Sequence, residues 1–261
     1  MLKPKSPSVP SRRYGWLPDL PDHRDHLFAV PHTIAANLPT SVDLRPKCPP
    51  VLDQGQLGSC TANALANAHL FNQMAQTGGT DALPSRLFIY WNERDLEGSV
   101  KSDSGAQIRD GIKVLAKLGA PPESLWPYDI AKFTIKPPAA AYKSGLTHQA
   151  VDYQRVTQSL PQLKGTLAAG FPFVFGFAVY ESFESEAVAK SGIVPMPSPT
   201  ERSLGGHAVM AVGYDDSKQV FRVENSWGPG WGQKGFFTIP YAYLGSAELA
   251  SDFWTIRLVE E

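Results

Sequence analysis

The chain is 261 residues long, 43% hydrophobic and 19% charged, which is enough for one large core or two modest cores sharing an interface. Its 24 basic and 25 acidic side chains sum to a formal charge of −1, so no field favours nucleic acid or an anionic membrane surface as a partner. The longest apolar runs, such as Phe171 to Val179 with its internal Pro172 and Gly176, fall far short of the roughly 20 residues a bilayer span needs.

Two cysteines, Cys48 and Cys60, are too few for a disulfide framework. That usage fits a reducing compartment, although secreted enzymes poor in cysteine exist. Behind Lys3 and Lys5 there is no apolar stretch of the kind a secretory signal carries, so a cytoplasmic location is favoured over export.

Residues 1–36 contain Pro4, Pro7, Pro10, Pro18, Pro21 and Pro31 and no apolar periodicity, and they read as an arm rather than a domain. The middle of the arm, Tyr14-Gly15-Trp16-Leu17-Pro18-Asp19-Leu20-Pro21, carries aromatic groups that a solvated tail does not need, so it is expected to pack on the main body. From Ser59 to Gln76 the spacing of Ala64, Ala68, Phe71 and Ala75 predicts a helix, with Ser59 as N-cap and Gly78 as stop. Further helices are expected over Ser85 to Arg94 and where Ile108, Ile112 and Leu115 share a face before Gly119.

Lys136-Pro137-Pro138 reads as a joint. Beyond it, apart from a short helix near Leu160 to Ala169, the patterns are those of strands: Phe173 to Val179, Ala208 to Tyr214, Val220 to Glu224, Gly235 to Ile239 and Phe253 to Leu258. Helices first and strands second, without βαβ alternation, predict an α+β fold of two lobes with a site in the cleft between them. The expected division is an arm over 1–36 and one domain over 37–261, mainly helical to about 140 and mainly β from about 141.

Cys60 stands at a predicted helix N-terminus, where the partial positive charge favours a thiolate over a thiol that is otherwise mostly protonated at neutral pH. A general base is available at Gly205-Gly206-His207-Ala208-Val209. Asn225, at the end of the next strand, offers a carbonyl that orients an imidazole without taking its proton, and Trp227 is placed to shield that bond from water.

These residues resemble three blocks of the papain family of cysteine peptidases, in the same chain order: Asp53-Gln54-Gly55-Gln56-Leu57-Gly58-Ser59-Cys60, then Gly206-His207-Ala208-Val209, then Asn225-Ser226-Trp227-Gly228 with Gly230-Trp231-Gly232. The likeness starts near Leu38-Pro39-Thr40 and runs to the C-terminus. It implies an N-terminal helical lobe, an antiparallel β-barrel-like C-terminal lobe, and peptide-bond hydrolysis through a thioester acyl-enzyme.

The resemblance makes Cys60 the nucleophile, His207 the general base and acid, Asn225 the orienter of His207, and Gln54 an oxyanion donor alongside the Cys60 backbone N–H. It also places Gly105 with Ser104, Gly176, Ala208, Gly206 and Trp227 along the substrate cleft. Leu57 replaces the usual cysteine before the nucleophile, Thr61 the usual tryptophan after it, and Gly206 the usual aspartate or asparagine before the histidine.

The expected activity is that of a cysteine endopeptidase acting on polypeptide without cofactor or metal, with its own N-terminal segment as an intramolecular inhibitor, processed near Ala35 to Thr40. The same triad also serves an exopeptidase or an acyl transferase, and a non-catalytic binding protein is the remaining alternative. Cys48, in a Pro-rich run with no acidic or histidine neighbour in sequence, reads as an ordinary thiol. His23 and His26 with Asp22 and Asp25 come nearest to a metal-binding pattern without making one.

Overall fold

The computed structural model describes residues 13–79 and 82–259, so the first third of the predicted arm lies outside the described residues. Helices dominate the first half: α1 (His32–Ala35), α2 (Cys60–Thr77), α3 (Arg86–Leu96), α4 (Ile108–Lys117) and α5 (Ala139–Gly145), with short strands β1 (Trp16–Leu17), β2 (Ser41–Asp43) and β3 (Ala106–Gln107) between them. The second half carries β4 (Ala150–Arg155), β5 (Phe173–Tyr180), β6 (Ser203–Asp215), β7 (Val220–Glu224), β8 (Phe236–Pro240) and β9 (Ala250–Val259), interrupted by α6 (Leu160–Ala168), α7 (Glu186–Ser191) and α8 (Tyr241–Gly245).

Helix α2 is buried on every side from Cys60 to Gln73, as befits the element wedged between the two halves. Gly78, at φ +68°, closes it in the left-handed conformation with its N–H on the Met74 carbonyl. Ser59 occupies the N-cap position but does not cap with its side chain. Its hydroxyl pairs instead with the hydroxyl of half-buried Tyr128 and accepts from Asn63 Nδ2 at 3.1 Å.

The main sheet is antiparallel, in the order β4-β9-β5-β6-β7-β8, with β2 pairing the far end of β6. Period-two alternation sorts β5: Phe173, Phe175 and Phe177 enter an aromatic core with Phe253 and Phe237, while Gly176 lies on the other face. The expected barrel-like closure is not reached, and among the described residues β4 and β8 stay unpaired with one another. Each outer edge is met by a loop: the Arg155 backbone bonds to Phe28 and His26 of the arm, and Thr238 to Gly192 and Val194. Covering edges in this way removes the free hydrogen-bonding groups that closure would otherwise have to satisfy.

Arg94, fully buried near the end of α3, organises the loop that leads to β3. Its guanidinium donates to the carbonyls of Tyr90 at 3.1 Å, Val100 at 3.0 Å, Ser102 at 3.0 Å and Phe133 at 2.5 Å. Arg94→Met keeps the stem but leaves these carbonyls unmet, at about 1–3 kcal/mol for each that stays buried. Denaturant unfolding is expected to show a loss of about 3 kcal/mol or more, and a midpoint equal to that of the parent would refute this role.

Candidate active site

Gln54 is held from four sides. Its backbone N–H donates to the Ser226 carbonyl at 2.9 Å, its carbonyl accepts from the Tyr128 hydroxyl at 3.0 Å, and its side-chain Oε1 accepts from Ser226 Oγ at 2.6 Å. With Oε1 fixed, Nε2 turns toward the Leu57 carbonyl at 2.9 Å and the arm's Arg13 carbonyl at 3.3 Å. Gln54 is therefore an aimed donor.

His207 sits on β6 and Asn225 just after the end of β7. His207 Nε2 lies 2.8 Å from Asn225 Oδ1, which also accepts the Ser226 backbone N–H at 2.8 Å. Trp227 stacks on the imidazole with centroids 5.1 Å apart and an interplanar angle of 28°, and Trp231 meets Trp227 edge-on at 5.2 Å. Because β6 lies against the start of α2, the backbone N–H of Ala208, next to His207, reaches the Cys60 thiol. The four sequence-predicted residues Cys60, His207, Asn225 and Gln54 thus come together, all of them buried.

The arm lies over them. β1 pairs in parallel with β3, and the Gly15 carbonyl accepts from the Ala106 N–H at 2.7 Å. The Gly15 N–H faces the Cys60 sulfur. Tyr14 meets His207 edge-on at 6.0 Å and bonds to Glu184, while Arg13 pairs with Asp103 at 3.1 Å. Farther along, Asp19 accepts the Arg109 backbone N–H at 3.0 Å and the Trp254 indole N–H at 2.9 Å, and Arg155 joins Asp25 at 3.1 Å and Asp252 at 2.9 Å.

The cleft glycines fit this cover. A Cβ on Gly176 would lie 1.9 Å from the Trp16 ring, one on Gly206 2.4 Å from it, and one on Gly105 2.1 Å from the Gly15 carbonyl oxygen. The glycine before His207 is thus required by the indole that fills the space of a side chain. The Ser104 hydroxyl bonds to Ser99 Oγ at 2.9 Å and to the Gly105 carbonyl at 3.2 Å.

One expectation is reversed. The Cys60 thiol is not lowered by its helix N-terminus but pushed up to about 11, because burial outweighs the backbone N–H groups of Ala208, Gly15 and Thr61. Burial under the arm thus favours the thiol over the thiolate.

Sequence reasoning missed several supporting groups. Tyr90 and Tyr128, aromatic residues without a local signal, use their hydroxyls: Tyr90 donates to Asp103 at 2.6 Å and accepts the Gly105 N–H at 3.2 Å, while Tyr128 holds Gln54. Cys48 does have an acidic neighbour, the buried Glu224, brought to it only by the fold.

The papain family cysteine protease profile matches residues 38–253. The chain belongs to the papain family. An uncharacterized peptidase C1-like protein of Acanthamoeba polyphaga mimivirus is 43% identical over 97% of this chain and 89% of its own length. A cathepsin B-like protein of Giardia intestinalis is 32% identical over 81% of this chain and 73% of its own. Among solved structures, xylellain, a cysteine protease from Xylella fastidiosa, superposes with a TM-score of 0.89 at 44% identity, covering 97% of this chain and 99% of that one. A digestive procathepsin L of Tenebrio molitor, at 18% identity and TM-score 0.71 over 95% of this chain and 76% of its own, shares the fold. The protein is a papain-family cysteine peptidase with an α+β fold.

Glu224 gives this member of the family a pH signature. Burial pushes its carboxyl up to about 8 from an ordinary 4.5, against hydrogen bonds from Asn67 and Cys48 that lower it; no charged group appears among the influences on it. Between those two values the folded protein holds a proton that the unfolded chain has released, so stability falls as pH rises through this window. Glu224→Gln removes the titration. Its melting temperature relative to the parent is expected to rise from pH 5 to pH 9, and a constant difference would contradict the assignment.

Proposed function

We propose that residues 37–261 form a cysteine endopeptidase unit and that the arm over 1–36 holds it latent. In this reading Cys60 is the nucleophile, His207 the general base and acid, and Asn225 the orienter of the imidazole. Gln54 Nε2 and the Cys60 backbone N–H receive the oxyanion. The observation that carries the reading is the aimed pair: Asn225 Oδ1 at 2.8 Å from His207 Nε2, and Gln54 Nε2 at 3.3 Å from a peptide carbonyl already lying in the cleft.

Once the arm lifts, water and a substrate enter, and the thiol passes its proton to His207 under the influence of the α2 N-terminus. The thiolate attacks the substrate carbonyl carbon, and the oxygen becomes an anion between two donors placed before the reaction begins. His207 then protonates the leaving amine as the thioester forms, and next takes a proton from the water that hydrolyses it. Endopeptidase action is favoured over exopeptidase action because a continuous polypeptide, Arg13 to Leu17, passes through the cleft without ending in it.

The Gly15 peptide is not itself presented for cleavage. The sulfur faces the N–H of Gly15, whose carbonyl is committed to Ala106. The arm's hold rests mainly on Trp16, whose burial against the cleft glycines stabilises docking by about 3 kcal/mol.

Hydrolysis of a fluorogenic peptide library by the full chain tests the catalytic assignment. Cys60→Ala is expected to abolish turnover, and Gln54→Ala to lower kcat on the order of 10²- to 10³-fold. Cleavage within long peptides supports the endopeptidase, whereas removal of terminal residues alone, or aminolysis outrunning hydrolysis, would replace it with an exopeptidase or a transferase. Trp16→Ala is expected to raise the open fraction by about a hundredfold and so shorten any lag; initial rates equal to those of the parent would refute latency through the arm.

A further inference from the structure

Against Asn225 lies a small cavity of about 10 Å³, about the space one water molecule needs. Its walls include Asn63, Ala64 and Asn67 of α2, Ala208 of β6, and Glu224 and Asn225. Asn67 stands two turns along from Cys60 on the same helix, and Glu224 immediately precedes Asn225. Asn67 Nδ2 donates to Glu224 Oε1 and, at 3.3 Å, to the Pro50 carbonyl.

Three buried polar atoms of this wall, Asn67 Oδ1, Glu224 Oε2 and Asn225 Nδ2, have no partner within hydrogen-bond distance among the described residues; the Cys48 thiol, near the Glu224 carboxyl, lies on the Leu44 carbonyl at 3.5 Å. The residues of these three atoms are each at most 4% exposed. Buried amides and carboxyls are seldom left unmet, and two acceptor-capable oxygens opposite one N–H donor form a set that a single bridging molecule completes.

We propose that Glu224 and Asn67 are positioning residues for Asn225, acting through one water molecule seated in this cavity. The water accepts from Asn225 Nδ2, donates to Asn67 Oδ1 and shares a hydrogen bond with Glu224 Oε2. The Asn225 amide is then held at both ends: Oδ1 by His207 and the Ser226 N–H, Nδ2 by the water. Rotating it breaks bonds on both sides, so the imidazole keeps the orientation that proton transfer needs. The bridge also fastens the helix carrying Cys60 to the strand that ends at Asn225, setting nucleophile and base relative to each other. This inference rests on the reading of Asn225 as the orienter of His207.

The test measures kcat and KM of the full chain on a fluorogenic peptide amide, with rates normalised to Cys60 sites titrated by a thiol-directed epoxide, so that misfolded protein is not counted. Glu224→Ala is expected to lower kcat about tenfold with KM changed less than about twofold, and Glu224→Gln, which keeps the hydrogen-bonding shape, to restore most of it. Asn67→Leu, which fills the cavity from the other wall, is expected to lower kcat to a similar degree and serves if Glu224→Ala yields no titratable sites. Parental kcat per site in Glu224→Ala or Asn67→Leu, or an equal loss in Glu224→Gln and Glu224→Ala, would overturn the proposal. Asn225→Ala separates the two levels. If it loses activity while Glu224→Ala does not, this inference alone fails; if Asn225→Ala keeps full kcat, the reading of Asn225 falls and takes the inference with it.

Discussion

A run of buried hydrogen bonds from Gln54 through Ser226 and Asn225 to His207 is the constraint on which the rest of the site depends. Each member lies away from water, and a buried polar group without a partner costs about 1–3 kcal/mol, so orientation is set by the need to pair every group. The Ser226 hydroxyl decides which end of the Gln54 amide faces the cleft, and its backbone N–H helps decide which end of Asn225 faces the imidazole. One residue thereby couples the proposed oxyanion donor to the proposed orienter of the base. The α2 helix and the β6–β7 pair exist, from the standpoint of chemistry, to bring the two ends of this run against Cys60.

The arm belongs to the same logic. Burial under the segment from Arg13 to Leu17 favours the thiol of Cys60 over the thiolate. The glycines at 105, 176 and 206 leave room for a backbone and an indole, so the departure from the family pattern at Gly206 accommodates the cover. The electrostatic anchors around Asp19, Asp25, Arg109 and Arg155 lie beyond the reacting atoms and fix the arm's path where it leaves the cleft.

The parts legible in the sequence were those with strong local patterns. Val220–Glu224 has the predicted bounds, and the helix beginning at Cys60 differs by a residue or so at each end. β6 starts at Ser203, five residues before the prediction, because Gly205 and Gly206 have no strand propensity of their own and are ordered by pairing with Val179 and Ala178. β4 went unread because it is an outer strand with mostly half-buried, mixed residues. The Pro-rich joint turned out to start α5, with Pro138 as its N-cap residue. Cys60, His207 and Asn225 were legible through flanking residues. Glu224 and Asn67 carried no signal, since a contact spanning 157 positions is created only by the fold.

Latency through the arm, as proposed, requires that Cys60 stay a buried thiol while the arm is docked. The most direct test is the rate of alkylation of Cys60 by iodoacetamide in the intact chain as a function of pH, followed by peptide mapping so that Cys48 is scored separately. Slow modification at neutral pH is expected, with a rate that climbs into the alkaline range as a thiol does. Fast modification of the intact chain, level from mildly acidic pH upward, would mean that a thiolate is already exposed, and would contradict it.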